Sequence, residues 1–376
     1  MRMPRYDDSP DAVGAPGTGR ELTVEFAGRA FTLRIAAGAE AAMAPVLSFI
    51  APHFPTRPTP APPACAALQI DVEPYDAWQP PNGGGERTLV RKTGNPARDV
   101  WGSRWRQRRQ TLLHIPASST AFALDDDATH AVVYVSAHSQ YHVSDFLRDV
   151  AWELAAGHGW FIHAAAVSTQ SGVIALVGPK GAGKTTTAIE FMRAGADFFT
   201  GDVLFLARDD NACHSFPDYP HIGWGTLRSH QELAAEAQRL GLKPAADQDK
   251  VFLPHDVYRI MLGAGQGRSP LPLRAVVLPQ VATHGAARIT RSGAAESIEA
   301  MPRETTYADQ GWEPFVRLLR TGTALEQSLV SHPGLDRALW FSRLGRGRPA
   351  ADQMAAVLGQ VRGPFPLSVD TLETGP

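Results

Sequence analysis

Residues 173–187 read Val173-Ile174-Ala175-Leu176-Val177-Gly178-Pro179-Lys180-Gly181-Ala182-Gly183-Lys184-Thr185-Thr186-Thr187, an apolar run that ends in a complete GxxxxGK[ST] loop. The run is short and partly β-branched, as a buried strand requires. Gly178, Gly181 and Gly183 permit the tight backbone that turns successive N–H groups toward a polyphosphate. Lys184 adds a point charge at the β- and γ-phosphates, and Thr185 offers its hydroxyl to Mg²⁺. Residues 186–195 read as a helix whose positive N-terminal end faces the anion. Pro179, Lys180, Ala182 and Thr186 complete the expected nucleotide-binding set. The strand before the loop and the helix after it distinguish this stretch from a chance match among 34 glycines. The expected ligands are ATP and Mg²⁺.

A chain of 376 residues suggests about two domains. Its 44% hydrophobic and 20% charged residues are ordinary globular composition. A formal net charge of -2 gives no general attraction to nucleic acid or anionic lipid. Cys65 and Cys213 stand far apart and outside any metal-ligand spacing, which excludes a disulfide framework or a cysteine zinc site. The first 20 residues lack the apolar core of a secretory signal, and no apolar stretch is long enough to span a bilayer. A cytoplasmic protein without membrane or nucleic-acid partners is expected, with self-association left open.

The surrounding sequence organises around the loop. Residues 1–20 read as a polar, Gly/Pro-rich tail. Residues 21–143 read as a β-rich amino-terminal region. It opens with a hairpin about Ala27-Gly28-Arg29, continues in a helix over 39–50 restarted or kinked at Pro45, and crosses an extended proline connector at 52–63. Strands are expected at 67–72, 88–92, 111–115 and 131–136. A helix over 145–156, capped by Ser144, ends at Gly157-His158-Gly159. Strand 160–168 then turns back at 169–172 into the loop strand, so the two form an antiparallel hairpin. Residues 197–206 read as one or two strands about Gly201-Asp202, with a helix over 233–240 and strands at 273–278 and 287–292. The domain assignment is a nucleotide-binding core over 144–300 and a helical carboxy-terminal portion over 301–376, with helices at 294–301, 313–325 and 351–359.

Phosphoryl transfer needs a carboxylate besides the loop, to hold Mg²⁺ or orient the nucleophile. The apolar strand Ala275-Val276-Val277-Leu278 ends in Pro279-Gln280 without an acid. The first acid in a β context after the loop helix is Asp202, whose alternative role is that of a turn carboxylate beside Gly201. His163 lies on the strand paired with the loop strand. A histidine among apolar residues is commonly a satisfied core residue, but the hairpin returns this one toward the loop.

These residues resemble the HPr kinase/phosphorylase superfamily. That family carries a His-Gly pair, a GxSGxGKSE loop and an Arg-Gly-His stretch ending in Ala-Asp-Asp. The matching positions are His163-Ala164, the loop 178–186, Arg193-Ala194-Gly195 and Gly201-Asp202, with 15 residues from His163 to Gly178 and 24 from Gly178 to Asp202. The resemblance implies an α/β fold with a mixed sheet and an ATP- and Mg²⁺-dependent kinase. In it Asp202 would accept the acceptor hydroxyl's proton and share the metal with Thr185, and His163 would sit at the phosphate site. It covers residues 155–207 most closely and extends to about 300. Lys180 and Thr186 replace the loop Ser and the following Glu, and Gly201 replaces the first Asp. The HPr-recognition signature is absent, so the acceptor implied is not HPr. The layout is closer to divergent HPr-kinase-like proteins of peptide-modification pathways, lasso-peptide kinases among them.

The expected reaction is therefore phosphorylation of a hydroxyl, on Ser or Thr of a peptide or protein, with a small metabolite as the other acceptor class. A nucleotide-dependent switch or assembly ATPase, or a degenerate nucleotide-binding module, are the alternatives. Lys250, Arg228 and Arg274 are further cations that could reach a phosphate, or lie solvated. Arg104, Arg106, Arg108 and Arg109 interleave with Trp101 and Trp105, as an anionic-ligand surface or a solvated strand face would. The stretch 216–225, FPDYPHIGWG, suits the rim of an acceptor pocket.

Overall fold

The computed structural model describes residues 19–58, 68–91, 99–217, 221–228, 230–239, 250–252, 265–267, 269–280, 288–293, 335, 337–344 and 351–362. Among them one compact unit ends at Leu154 and a second begins at Ala155. The tail 1–18, the rest of the proline connector and the helices expected at 294–301 and 313–325 lie outside the described residues.

The first unit is a nine-stranded sheet. Its strands are β1 (Arg20–Phe26), β2 (Arg29–Ile35), β3 (Thr56–Pro58), β4 (Gln69–Pro74), β5 (Glu86–Arg91), β6 (Val100–Gln107), β7 (Gln110–Ile115), β8 (Thr120–Asp125) and β9 (His130–Val135). They run in the order β3-β1-β2-β4-β9-β8-β7-β6-β5. The expected first hairpin forms on Ala27 and Gly28, both at positive φ. Helix α1 (Glu40–Ile50) runs on through Pro45 without a restart, and Phe54 just beyond it packs on Phe26 at 5.1 Å. Strands β6 and β8 have no counterpart in the sequence reading. Only Gly102 of β6 is buried, and β8 is buried along both faces, so neither shows clean alternation.

Helix α2 (Gln140–Ala155) corrects the expected cap at Ser144. The chain already turns at Ser139, whose hydroxyl accepts from the Ser136 N–H at 2.8 Å and from the Thr120 hydroxyl at 2.8 Å. The Val143 N–H then donates to the Ser139 carbonyl at 3.0 Å. Ser144 is buried inside the helix, and Phe146 seats on Phe122 of β8 at 5.2 Å.

The second unit begins with β10 (Gly159–Thr169) and β11 (Gly172–Val177), the antiparallel hairpin expected from the sequence. After loop 178–183 come α3 (Lys184–Arg193), β12 (Asp197–Thr200), β13 (Val203–Ala207), β14 (Ala212–Ser215), β15 (His221–Gly223), α4 (Trp224–Arg228), α5 (Gln231–Arg239), β16 (Lys250–Phe252), β17 (Leu271–Gln280), β18 (Arg288–Ser292), β19 (Leu339–Leu344) and α6 (Ala351–Arg362). The sheet is mixed, because β17 runs parallel to both β11 and β19 while the other pairings are antiparallel. The fold is α/β, as expected. The carboxy-terminal portion is not wholly helical, since β19 lies within the sheet. Its run of Leu339, Trp340 and Phe341 is buried on both faces and so carries no strand period.

Strand pairing in this unit closes on itself. β10 bonds β11 along one edge and β13 along the other, β13 bonds β14, β14 bonds β17, and β17 bonds β11. Inside the ring, Ile162, Ala166, Val177, Leu204, Val276 and Trp340 form an apolar core. A residual cavity of about 10 Å³ remains, lined by apolar side chains and the Cys213 thiol. That is room for about one water-sized sphere and no ligand. Outside the ring, Val167, Leu176, Val277 and Phe341 pack beneath α3, α5 and α6. At the sheet's edge the Ile289 N–H of β18 donates to the Gln353 side chain of α6 at 3.0 Å.

The hairpin that feeds loop 178–183 turns at Gly172, with φ +141, where an added Cβ would lie 2.3 Å from the Pro272 carbonyl oxygen. Gly172→Ala should therefore destabilise the protein by about 1–3 kcal/mol, the cost of a forced backbone conformation. Chemical denaturation of the variant should show a lower midpoint with the slope unchanged.

Candidate functional site

Side chains on a strand alternate between faces, so His163 shares the outer face of β10 with Ala165 and Val167, which lie in the core beneath α3. This parity aims the imidazole at the N-terminal end of that helix. The His163–Val203 pairing continues into a bond from the Ala164 N–H to the Asp202 carbonyl at 3.1 Å. The turn Gly201-Asp202 is thereby laid beside β10, and the Thr200 hydroxyl braces it on the Val203 carbonyl at 2.7 Å and the Phe216 carbonyl at 3.1 Å. The Asp202 carboxylate meets His163 Nε2 at 3.0 Å.

The loop itself has the geometry its glycines allow. Gly181 and Gly183 hold φ +85 and +97, and the Ala182 N–H closes a turn on the Pro179 carbonyl at 3.1 Å. An added Cβ on Gly181 would meet no atom of the described residues within 4 Å. Pro179 and Lys180 are exposed and Gly178 is buried. A helix of 10 residues starts at Lys184, with Thr185 and Thr186 half-buried in its first turn. Open backbone at positive φ leading into a helix N-terminus is a receptive surface for anions.

Lys184 is buried to 7% exposure, and its ammonium donates to the Gly178 carbonyl at 2.7 Å and the Pro179 carbonyl at 3.3 Å. It also lies 3.1 Å from His163 Nε2. One imidazole nitrogen therefore stands between an ammonium and a carboxylate. As N–H it donates to Asp202, and as a lone pair it accepts from Lys184, but it serves only one at a time. His163, Lys184 and Asp202 are brought together as the sequence reading anticipates.

Behind the loop stands a second charged group that the sequence reading does not contain. Glu190 of α3 accepts from His230 Nε2 at 2.7 Å or donates to it, and His230 is wholly buried. Arg343 of β19 is 2% exposed; burial lowers its pKa, and the Glu190 charge acts to raise it. Glu190 sits in the apolar run Ala188-Ile189-Glu190-Phe191-Met192, and a lone acid there was the available signal.

The other sequence candidates fall outside the site. Arg274 is buried and donates to the Val361 carbonyl at 3.1 Å, so it is a packing residue of the second unit and no phosphate contact. The side chains of Lys250 and Arg228 lie outside the described residues. In the first unit, Arg104 pairs with Glu86 at 2.7 Å and Arg106 with Asp126 at 3.0 Å, and Arg87 stacks on Trp101 at 4.1 Å. That cluster is largely charge-compensated. Among the described residues no group of three or more His, Cys, Asp or Glu side chains converges to hold a metal, and no helix is long and apolar enough to cross a membrane. No protein-family model and no curated protein sequence matches the chain.

Removing Glu190 would take away the carboxyl group that His230 Nε2 meets at 2.7 Å and whose charge acts on buried Arg343. Glu190→Ala should cost about 3–5 kcal/mol of stability, as breaking a buried ion pair does, and Glu190→Gln clearly less. Paired denaturation curves of the two variants measure the difference.

Proposed function

We propose that this protein is an ATP- and Mg²⁺-dependent kinase that phosphorylates a hydroxyl, on Ser or Thr of a peptide or protein. The observation that carries the reading is the convergence of Lys184, His163 and Asp202 at the mouth of loop 178–183, within 3.0 and 3.1 Å of one imidazole nitrogen. A binding loop alone needs no carboxylate there, whereas phosphoryl transfer does.

The residues suit the ligands. The loop's open amides and the helix N-terminus match a polyphosphate. Thr185 and Asp202 supply the hydroxyl and single carboxylate that Mg²⁺ takes when phosphates and water complete its shell. When bound, the metal would neutralise charge on the transferring phosphoryl group. Lys184 would exchange the Gly178 and Pro179 carbonyls for phosphate oxygens. Its departure releases His163 to donate to Asp202 and orient that carboxylate. Asp202 would then accept the proton of the acceptor hydroxyl, and catalysis would come from positioning and charge complementarity. Gly201 leaves the turn with one carboxylate, which favours a degenerate nucleotide-binding module as the second reading.

Lys184→Ala should weaken Mg-ATP binding by about 10–100-fold in calorimetry, in line with the roughly 1.5–3 kcal/mol of a hydrogen bond to a charged group. Unaltered affinity would remove the nucleotide assignment. Asp202→Asn keeps the shape without the basicity, so Mg-ATP should still bind while transfer falls by about 10²–10⁴-fold. The assay is incubation with Mg-ATP and peptides encoded by neighbouring genes, followed by mass spectrometry for one added phosphoryl group on Ser or Thr. ATP bound tightly with neither transfer nor hydrolysis would favour the degenerate module. Hydrolysis paced by a partner protein, without transfer, would favour the switch.

A further inference from the structure

Three polar residues of α3, Thr186, Glu190 and Arg193, are spaced by four and three positions and so form one stripe of the helix. Each engages the segment that carries α4 and α5. The hydroxyls of Thr186 and Thr226 meet at 2.9 Å, Glu190 meets His230 at 2.7 Å, and Arg193 pairs with Glu232. Leu227, Leu233 and Ala237 add apolar contact to the core beneath α3.

His230 is the joint of this arrangement. Its Nδ1 donates to the Thr226 carbonyl, which can only accept, at 2.8 Å. Its own amide donates to the Leu227 carbonyl at 2.9 Å, and its carbonyl accepts from the Ala234 N–H at 3.0 Å. It thus links the end of α4 to the start of α5 and ties both to Glu190. Next to Asp202 in the chain, the Thr200 hydroxyl donates to the Phe216 carbonyl at 3.1 Å. Farther along the chain β15 pairs with β16 and leads directly into α4.

We propose that the β15–β16 ribbon with α4 and α5 is a nucleotide-responsive lip of the site, and that His230 is the positioning residue that couples it to the phosphate loop. The inference rests on the nucleotide reading above. An anion at the N-terminus of α3 orders that helix's first turn, which contains Thr186. The Thr186–Thr226 and Glu190–His230 bonds pass that order to α4 and through Gly223 to the ribbon. Nucleotide binding then shapes the elements that pack on the first turn of α3.

Hydrogen exchange of the full chain with and without Mg-ATP tests this. In the unaltered protein Mg-ATP should slow exchange at residues 221–223 and 250–252 within the about 5–150-fold range of typical coupling between sites. In His230→Ala, Mg-ATP should still bind in calorimetry while the slowing falls below about twofold, and His230→Gln, which keeps a donor, should restore part of it. Full slowing in His230→Ala overturns the inference, as does ATP binding to the unaltered protein without any change in the ribbon. If the unaltered protein does not bind ATP, the nucleotide reading itself fails, and calorimetry shows that separately. Should His230→Ala not fold, the double variant Thr226→Val/Glu232→Gln cuts the two outer contacts and keeps the buried pair. It should keep most of the slowing through the Glu190–His230 bond, and loss of the slowing would overturn His230 as the coupling residue.

Discussion

Ala164 of β10 pairs with Val177, the last residue before loop 178–183, and its amide donates to the carbonyl of Asp202. One backbone position therefore holds the start of the glycine-rich loop and the carboxylate-bearing turn against the same strand, and its neighbour His163 fills the space between them. The alternation of a strand has a period of two, so a slip of one residue would send the imidazole into the apolar ring and Ala164 toward Lys184. The apolar residues of the ring forbid that slip. Ile162 and Ala166 must face inward for the ring to close over its core, and His163 is then obliged to face α3.

Two kinds of interior coexist within the second unit. The ring interior is apolar, with almost no free volume, and it fixes strand register. The layer on the other side accepts buried polar groups at Glu190, His230 and Arg343, drawn from α3, the α4–α5 joint and β19. Such a cluster adds little net stability, because desolvation offsets much of the attraction. It does specify geometry: an apolar contact would let α3 slide along its neighbours, whereas directed bonds at 2.7 and 2.8 Å admit one arrangement. The helix that presents its N-terminus to the loop is held in place by polar bonds on one stripe and by hydrophobic packing on the others.

What was legible in the sequence follows from this division. The loop motif, the hairpin before it and the Gly201-Asp202 turn are local signals, written in glycine positions and short apolar runs, and the structure places them together. Strands β8 and β19 were not legible because their residues are buried on both faces, and β6 because only Gly102 of it is buried, so no apolar face alternates with its polar one. The cap at Ser144 was misplaced since Ser139, five residues earlier, is already held by Ser136 and Thr120, a contact no local pattern announces. His230 lies 40 residues from Glu190 in the chain, and nothing near either residue marks the pair.

The Gln353 side chain on the Ile289 amide bears on self-association. Among the described residues β18 ends the sheet of the second unit, and a terminal strand is a template for a second copy of the same chain. To add a strand there, the incoming backbone must displace an intramolecular bond of 3.0 Å and approach a row that includes the charged side chains Arg288 and Arg291. Continuation of the sheet across two copies would thus have to overcome one side-chain bond and two like charges at β18.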